Sequence, residues 1–144
     1  MAFTTKTYDP GLVVVQFGPY IMTGFQDGTF VKAARNEDTF KVYVGADGTP
    51  ARSRSRNKSG TIEVTLAQTS PSNDMLASAH SADELLGAGM YPLTIKDLNG
   101  TTLVAAAEAW VRKPADVEEG KEISPRAWTL ETGALAMWAG GNVL

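Results

Sequence analysis

Few residues in this chain could do covalent chemistry, and they do not cluster. There is no cysteine and a single histidine, His80, which removes thiolate nucleophiles, disulfides, cysteine-ligated metal sites and any multi-histidine centre. His80 could act as a general base with Asp83 or Glu84, but it follows an apolar helical face, and no serine stands nearby in the strained turn a nucleophile needs. A helix-end histidine without a catalytic task is the simpler reading. Gly45-Ala46-Asp47-Gly48 lacks the lysine of a phosphate-binding loop and reads as a hairpin turn. Asp27 and Asp47 stand beside glycines without the repeated oxygen-ligand spacing of a calcium loop. No catalytic residue, metal or cofactor is therefore expected, and the chain reads as a structural subunit that packs against copies of itself.

Charge is the remaining chemical resource. Arg52, Arg54, Arg56 and Lys58 recur at alternate positions in a stretch whose apolar side chains are no larger than alanine, which predicts a projecting basic loop over about 46–60. Such a loop can grip phosphates, pair with an acidic surface on another subunit, or stay solvated and idle. The stretch contains no aromatic residue to stack on bases, and the chain is acidic overall, with a net charge of −3, so a nucleic-acid grip is the weaker alternative. Its counterpart is Asp116, Glu118, Glu119 and Glu122, which follow Pro114 and predict an acidic loop. If the two loops sit at opposite ends of the fold, copies could stack head to tail through a contact that propagates. Two unrelated solvated loops are the competing reading, because an exposed ion pair contributes only about 0–1 kcal/mol.

The elements that must carry these charges are mostly strands. A chain of 144 residues, 43% hydrophobic and 20% charged, suits one globular domain with its own core. No apolar run is long enough to cross a bilayer as a helix, so no membrane insertion is expected. The N-terminus Met1-Ala2-Phe3-Thr4-Thr5-Lys6 lacks the pattern of a secretory signal, so synthesis and assembly in a cytoplasm are expected. Leu12 to Phe17 is a β-branched run that predicts a strand covered on both faces. Phe40, Val42 and Val44 alternate with polar neighbours, as do Ile62, Val64 and Leu66, and each set predicts a strand with one face on the core. Met90–Leu98 and Thr101–Arg112 flank Asn99-Gly100, a pair suited to the positive φ angles of a tight primed turn, and predict a hairpin. Helix propensity in Ala105–Ala109 opposes that reading, and the flanking threonine and valine outweigh it. Trp128, Leu130, Ala134, Ala136 and Trp138 share one parity, which fits a long strand kinked at Gly133 or two strands meeting there. One helix is predicted over about 71–86, with Ser70 as N-cap, Pro71 in the first turn and Gly87 as a left-handed stop; a second short turn starting at Ser81, boxed by Glu84, is compatible with the same residues. The expected fold is mainly β, an antiparallel sandwich or barrel with one flanking helix.

Four blocks in this order resemble the tail tube proteins of contractile-tailed bacteriophages: Gly24-Phe25-Gln26-Asp27-Gly28-Thr29-Phe30; Val44 to Gly48; Arg52-Ser53-Arg54 through Lys58-Ser59-Gly60-Thr61-Ile62; and Gln68 to Leu76. Arg126-Ala127-Trp128-Thr129-Leu130 and Gly140-Gly141-Asn142 add to the likeness. The resemblance implies a single tail-tube-like domain over 1–144, a virion protein assembled in the host cytoplasm. Its copies would form homohexameric rings stacked head to tail into the inner tube, with tail sheath, tape measure protein and baseplate as partners. A baseplate or tube-terminator protein of the same fold is the alternative within that family. Double-stranded DNA would pass through the lumen without specific binding, so a wall of neutral or negative character is expected. Glu63, Glu108 and Glu131, each on the strand parity opposite to the core, are the lumen candidates. Arg52, Arg54, Arg56 and Lys58, with Asp116, Glu118, Glu119 and Glu122, are the candidates for contact between rings or subunits.

Overall fold

A computed structural model describes residues 3–143; Met1, Ala2 and Leu144, the ends of the expected domain, lie outside the described residues. One antiparallel sheet carries most of the fold, with strands β1 (Val13–Phe17), β2 (Tyr20–Ile21), β3 (Val31–Arg35), β6 (Gly60–Ala67), β7 (Tyr91–Asp97), β8 (Leu103–Lys113), β9 (Pro125–Thr132) and β10 (Leu135–Trp138). Its order is β2-β1-β7-β8-β9-β6-β3, with β10 continuing beside β8. β4 (Phe40–Val44) and β5 (Pro50–Arg54) form a separate two-stranded ribbon. The only α-helix among the described residues is α1 (Ser72–Leu86). The mainly β, antiparallel class with one flanking helix is thus the one the turn spacing predicted.

The period-two pattern of β6 places Ile62, Val64 and Leu66 fully inside. Register with β9 sets Ile62 opposite Leu130 and Val64 opposite Trp128, so one face of the central pair is continuous core. Phe17, Leu93 and Leu76 close that core from β1, β7 and α1, and each such buried side chain stabilises the fold by about 1.5–3 kcal/mol. β1 departs from expectation. Only Val15 and Phe17 are buried while Gln16 is exposed, because no layer covers the second face. The helix begins one residue later than predicted: Pro71, not Ser70, holds the cap position and makes no side-chain capping bond, while Ser70 Oγ just before it accepts from the Ser72 N–H and donates to the Thr23 carbonyl. It then runs unbroken through Ser81 to Gly87, whose φ of 66° ends it, so no second turn starts at Ser81.

One turn was right in place and wrong in cause. β7 and β8 do form a hairpin around Asn99-Gly100, yet neither residue has positive φ. The Asp97 carboxylate accepts from the Asn99 N–H and the Asp97 carbonyl from the Gly100 N–H, shaping a wider loop. Gly100 is required there by close approach, since a Cβ would stand 2.7 Å from the Gly141 carbonyl oxygen. At the C-terminal end, β9 and β10 are two strands meeting at Gly133, both in one register with β8 through Ala109↔Thr132 and Ala106↔Leu135. Burial changes phase across that junction: Thr132 and Leu135 are inside, and Ala134, Ala136 and Trp138 are exposed, against the single parity predicted. The cause is a bulge in β8, where the pairing with β7 slips between Tyr91↔Ala109 and Leu93↔Ala106, leaving Ala107 and Glu108 outside. Thr132 Oγ1 donates to the Glu108 carbonyl at 2.7 Å and satisfies a group the bulge displaces.

Candidate functional site

The basic stretch is not a loop throughout. Arg52 and Arg54 belong to β5, and only Arg56 and Lys58 lie in the irregular segment that leads to β6. The ribbon turns through Gly45–Thr49, where the Gly45 N–H donates to the Thr49 carbonyl and Gly48 takes φ 87°. Asp47 Oδ1 accepts from the Thr49 N–H at 3.0 Å; these Thr49 bonds, backbone first and then side chain, hold the carboxyl below its usual range. The expectation that Phe40, Val42 and Val44 face a core fails, because every residue of both ribbon strands is exposed. The period-two signal is present, and a ribbon of two strands has nothing to bury it against. Register places Phe40 opposite Arg54, Val42 opposite Arg52 and Val44 opposite Pro50, so one face combines three apolar side chains with two arginines. Arg52 stacks over the Phe40 ring at 4.2 Å, a cation–π contact. No ion pair among the described residues uses Arg52, Arg54, Arg56 or Lys58.

The acidic segment, 114–124, is irregular as predicted and exposed apart from half-buried Ala115 and Ser124, but its four acids are not equivalent. Glu119 is tied down: Oε1 meets Arg126 Nη2 at 2.9 Å and Oε2 accepts from Gln68 Nε2 at 2.8 Å. Arg126 also donates to the Glu118 carbonyl, and Gln68 Oε1 accepts from the Ser124 N–H. These bonds anchor the segment to the end of β6 and leave Asp116, Glu118 and Glu122 without ion-pair partners among the described residues. Sequence reasoning passed over Val117 and Ile123, which stand among those acids and are 74% and 68% exposed. The signal was available as an apolar residue between two acids in Asp116-Val117-Glu118.

Topology sets the distance between the two charged elements. The ribbon is rooted where Arg35 pairs with Gly60, at the start of β6, and the acidic segment where Ala67 pairs with Pro125, at its end. An eight-residue strand separates these roots by roughly 23 Å at about 3.3 Å per residue. The basic and acidic elements therefore leave opposite ends of the central strand pair.

Glu63 and Glu131 share the face of the sheet turned away from the core, and both have cationic neighbours there. Lys32 is the cross-strand partner of Glu63, and Arg112 Nε lies 3.5 Å from Glu131 Oε1. Glu108 sits apart, exposed on the β8 bulge. At one end of that sheet, β3 has a free edge. Thr65 donates to the Phe30 carbonyl and Asn36 to the Ser59 carbonyl, so the alternation of an antiparallel ladder turns the backbone groups of Val31, Ala33 and Arg35 away from β6. Among the described residues no strand pairs with that edge. It borders an apolar cleft of about 360 Å³ lined by Val13, Val31, Ala33, Ile95, Met137 and Trp138.

The residues considered for covalent chemistry are not brought together. His80 Nδ1 faces Glu84 Oε2 at 3.7 Å within the helix, and Asp83 instead accepts from the Gly89 N–H beyond it. The described residues hold no group of acids and histidine spaced for a metal ion, and no described helix is long and apolar enough to cross a membrane.

Comparison with known proteins places this architecture in a class. Three solved structures superpose over nearly the whole chain. They are the tube-terminating cap of the anti-feeding prophage (TM-score 0.64, 12% identity, 96% of this chain and 95% of that one), the sheath/tube terminator of the extracellular contractile injection system PVC in its extended state (0.67, 14%, 95% and 100%), and the PVC sheath–tube complex, also extended (0.62, 13%, 92% and 92%). At such identities the likeness is one of fold, that of contractile-injection tube and cap proteins. The sequence itself goes further. Residues 15–140 match the family of the bacteriophage PhiTE tail tube protein, and Structural protein ORF10 of Pseudomonas phage KPP10 is 34% identical over 150 aligned positions, covering 99% of this chain and 87% of that protein. The chain belongs to the PhiTE-type phage tail tube family, and it is a structural protein of the phage tail.

Proposed function

We propose that the chain is the tube subunit of a contractile phage tail, a single tail-tube-like domain with no catalytic activity. Its copies form homohexameric rings by lateral pairing of strand edges, and the rings stack head to tail into a hollow tube. The observation that carries this reading is the placement of the basic ribbon and the acidic segment at opposite ends of β6 and β9, in a chain of this family. Such a subunit presents complementary charge to the next copy along one direction, so each addition recreates the surface that accepts another. The free edge of β3 supports the lateral half of the reading, because an unpaired edge in a closed ring is paired by the neighbour.

In the tube the face carrying Glu63 and Glu131 lines the lumen, and Glu108 lies at its margin. Lys32, opposite Glu63 in register, and Arg112, in ion-pair reach of Glu131, make that wall close to neutral, which suits passage of double-stranded DNA without retention. Tail sheath, tape measure protein and baseplate are the partners this role requires, with assembly in the host cytoplasm. A second reading, a terminator of the same fold, is favoured by the likeness to the anti-feeding prophage cap and the PVC terminator. Electron microscopy of the purified protein with tail initiators supplied separates the two. Extended tubes of sixfold section are expected; single rings that never elongate would assign the terminator role, and a persistent monomer would overturn both.

A further inference from the structure

The ribbon is the least explained part of the molecule. A two-stranded hairpin is marginal in water on its own, and this one packs chiefly on itself. It nevertheless exposes Phe40, Val42 and Val44, at 46%, 72% and 59%, on the face that also carries Arg52 and Arg54. Solvated charge alone does not account for three apolar side chains in a row, and a phosphate-gripping surface would have no use for the two valines. The face calls for a partner that is itself apolar and acidic by turns.

The same chain makes one. The segment Asp116–Ile123 sets exposed Val117 and Ile123 among Asp116, Glu118 and Glu122, and the bonds from Arg126, Gln68 and Ser124 hold it in place. Its backbone forms no strand or helix, and apart from the Glu118 carbonyl that Arg126 engages, its peptide groups are available. We infer that Asp116–Ile123 of a second copy covers the Phe40–Val42–Val44 face of the ribbon, with Val117 and Ile123 at the apolar centre and the carboxylates of Asp116, Glu118 and Glu122 at the rim against Arg52 and Arg54. The occupant is a second copy because, within one chain, the two elements leave opposite ends of β6 and both remain exposed. The inference rests on the head-to-tail stacking proposed above and adds its chemistry. The joint is an apolar seam guided by charge, and the charged rim sets register and rate while the seam holds.

Salt distinguishes a seam from a charge-only joint, since exposed ion pairs are screened to a Debye length of about 3 Å at about 1 M salt. Tubes of the full-length wild-type protein are expected to persist there. The Val117→Ser/Ile123→Ser variant, which keeps every charge, is expected to raise the critical concentration for elongation at least about tenfold. An independent test exploits the lack of native cysteine. Oxidising assembled Val42→Cys/Val117→Cys protein should give a ladder of covalent dimers, trimers and longer chains, whereas Val42→Cys/Ala127→Cys should give none. Tubes that form without the ladder, or an unchanged critical concentration in the serine variant, would overturn the seam and leave stacking intact. Wild-type protein that forms no tubes even with initiators removes the stacking reading and the seam with it. Should the paired-cysteine variant fail to assemble, the serine variant decides.

Discussion

Asn73 joins three parts of the molecule through one side chain. Its amide nitrogen donates to the carbonyls of Ala67 and Ser70 at the end of β6 and the start of the helix, and its Oδ1 accepts from the Trp128 indole N–H at 2.9 Å. Trp128 is 5% exposed, so a lost partner leaves a buried donor unsatisfied. Asn73→Ala is expected to destabilise the monomer by about 1–3 kcal/mol, read from denaturant unfolding below the concentration at which tubes form. Asp47 yields a pH prediction. Its carboxyl is held below the ordinary 3.8 by the Thr49 hydrogen bonds, so order in the ribbon turn is fully present above pH 3.8 and is lost as pH falls through the lower folded-state value. The Thr49 amide shift should follow that transition with a midpoint under 3.8, and Asp47→Ala should abolish it. At this scale the sequence was legible at Asp47-Gly48, which forms the hairpin turn the pair predicted. It was silent on Asn73 and on the true reason for Gly100, because both depend on segments distant in the chain that only the fold brings close.

For the elements, legibility followed the number of neighbours each strand acquires. The alternation in β6 was read correctly because β3 and β9 flank it and a core lies beneath. The same alternation in β4 was misread, since periodicity reports that a strand has an apolar face and not what covers it. Arg52 and Arg54 were singled out from sequence as loop residues. Their strand placement matters more, because it fixes them beside Phe40 and Val42 on one face. Charge reversal tests the element as a unit. Arg52→Glu, Arg54→Glu, Arg56→Glu and Lys58→Glu together should block elongation while leaving the monomer folded, since none of the four has an ion-pair partner among the described residues. Combining Arg52→Glu/Arg54→Glu with Glu118→Arg/Glu122→Arg should restore at least part of the elongation rate. Glu119 is left out of that swap because its bonds to Arg126 and Gln68 anchor the segment. Normal tubes from the fourfold reversal, followed by light scattering and microscopy, would refute a role for the basic element in stacking.

At the scale of the whole molecule, the sheet is a surface with an unfinished boundary. Sequence patterning predicts strands and their inner faces, but it does not say which strand ends a sheet, because edge and central strands share the same alternation. The boundary at β3 can be tested by choosing between adjacent residues. The ladder that pairs Thr65 with Phe30 and Asn36 with Ser59 points the Ala34 N–H toward β6 and the Ala33 N–H away from it. Proline removes an N–H and is tolerated on an edge strand only where that group faces outward. Ala33→Pro is therefore expected to keep a folded monomer, with an unfolding midpoint near wild type, and to lose rings and tubes because the neighbour's strand finds no donor there. Ala34→Pro should cost the monomer itself a ladder hydrogen bond and lower its stability first. If Ala33→Pro assembled as well as the wild type, lateral closure would not run through the β3 edge, and the ring would have to form through other surfaces while the charged ends could still stack.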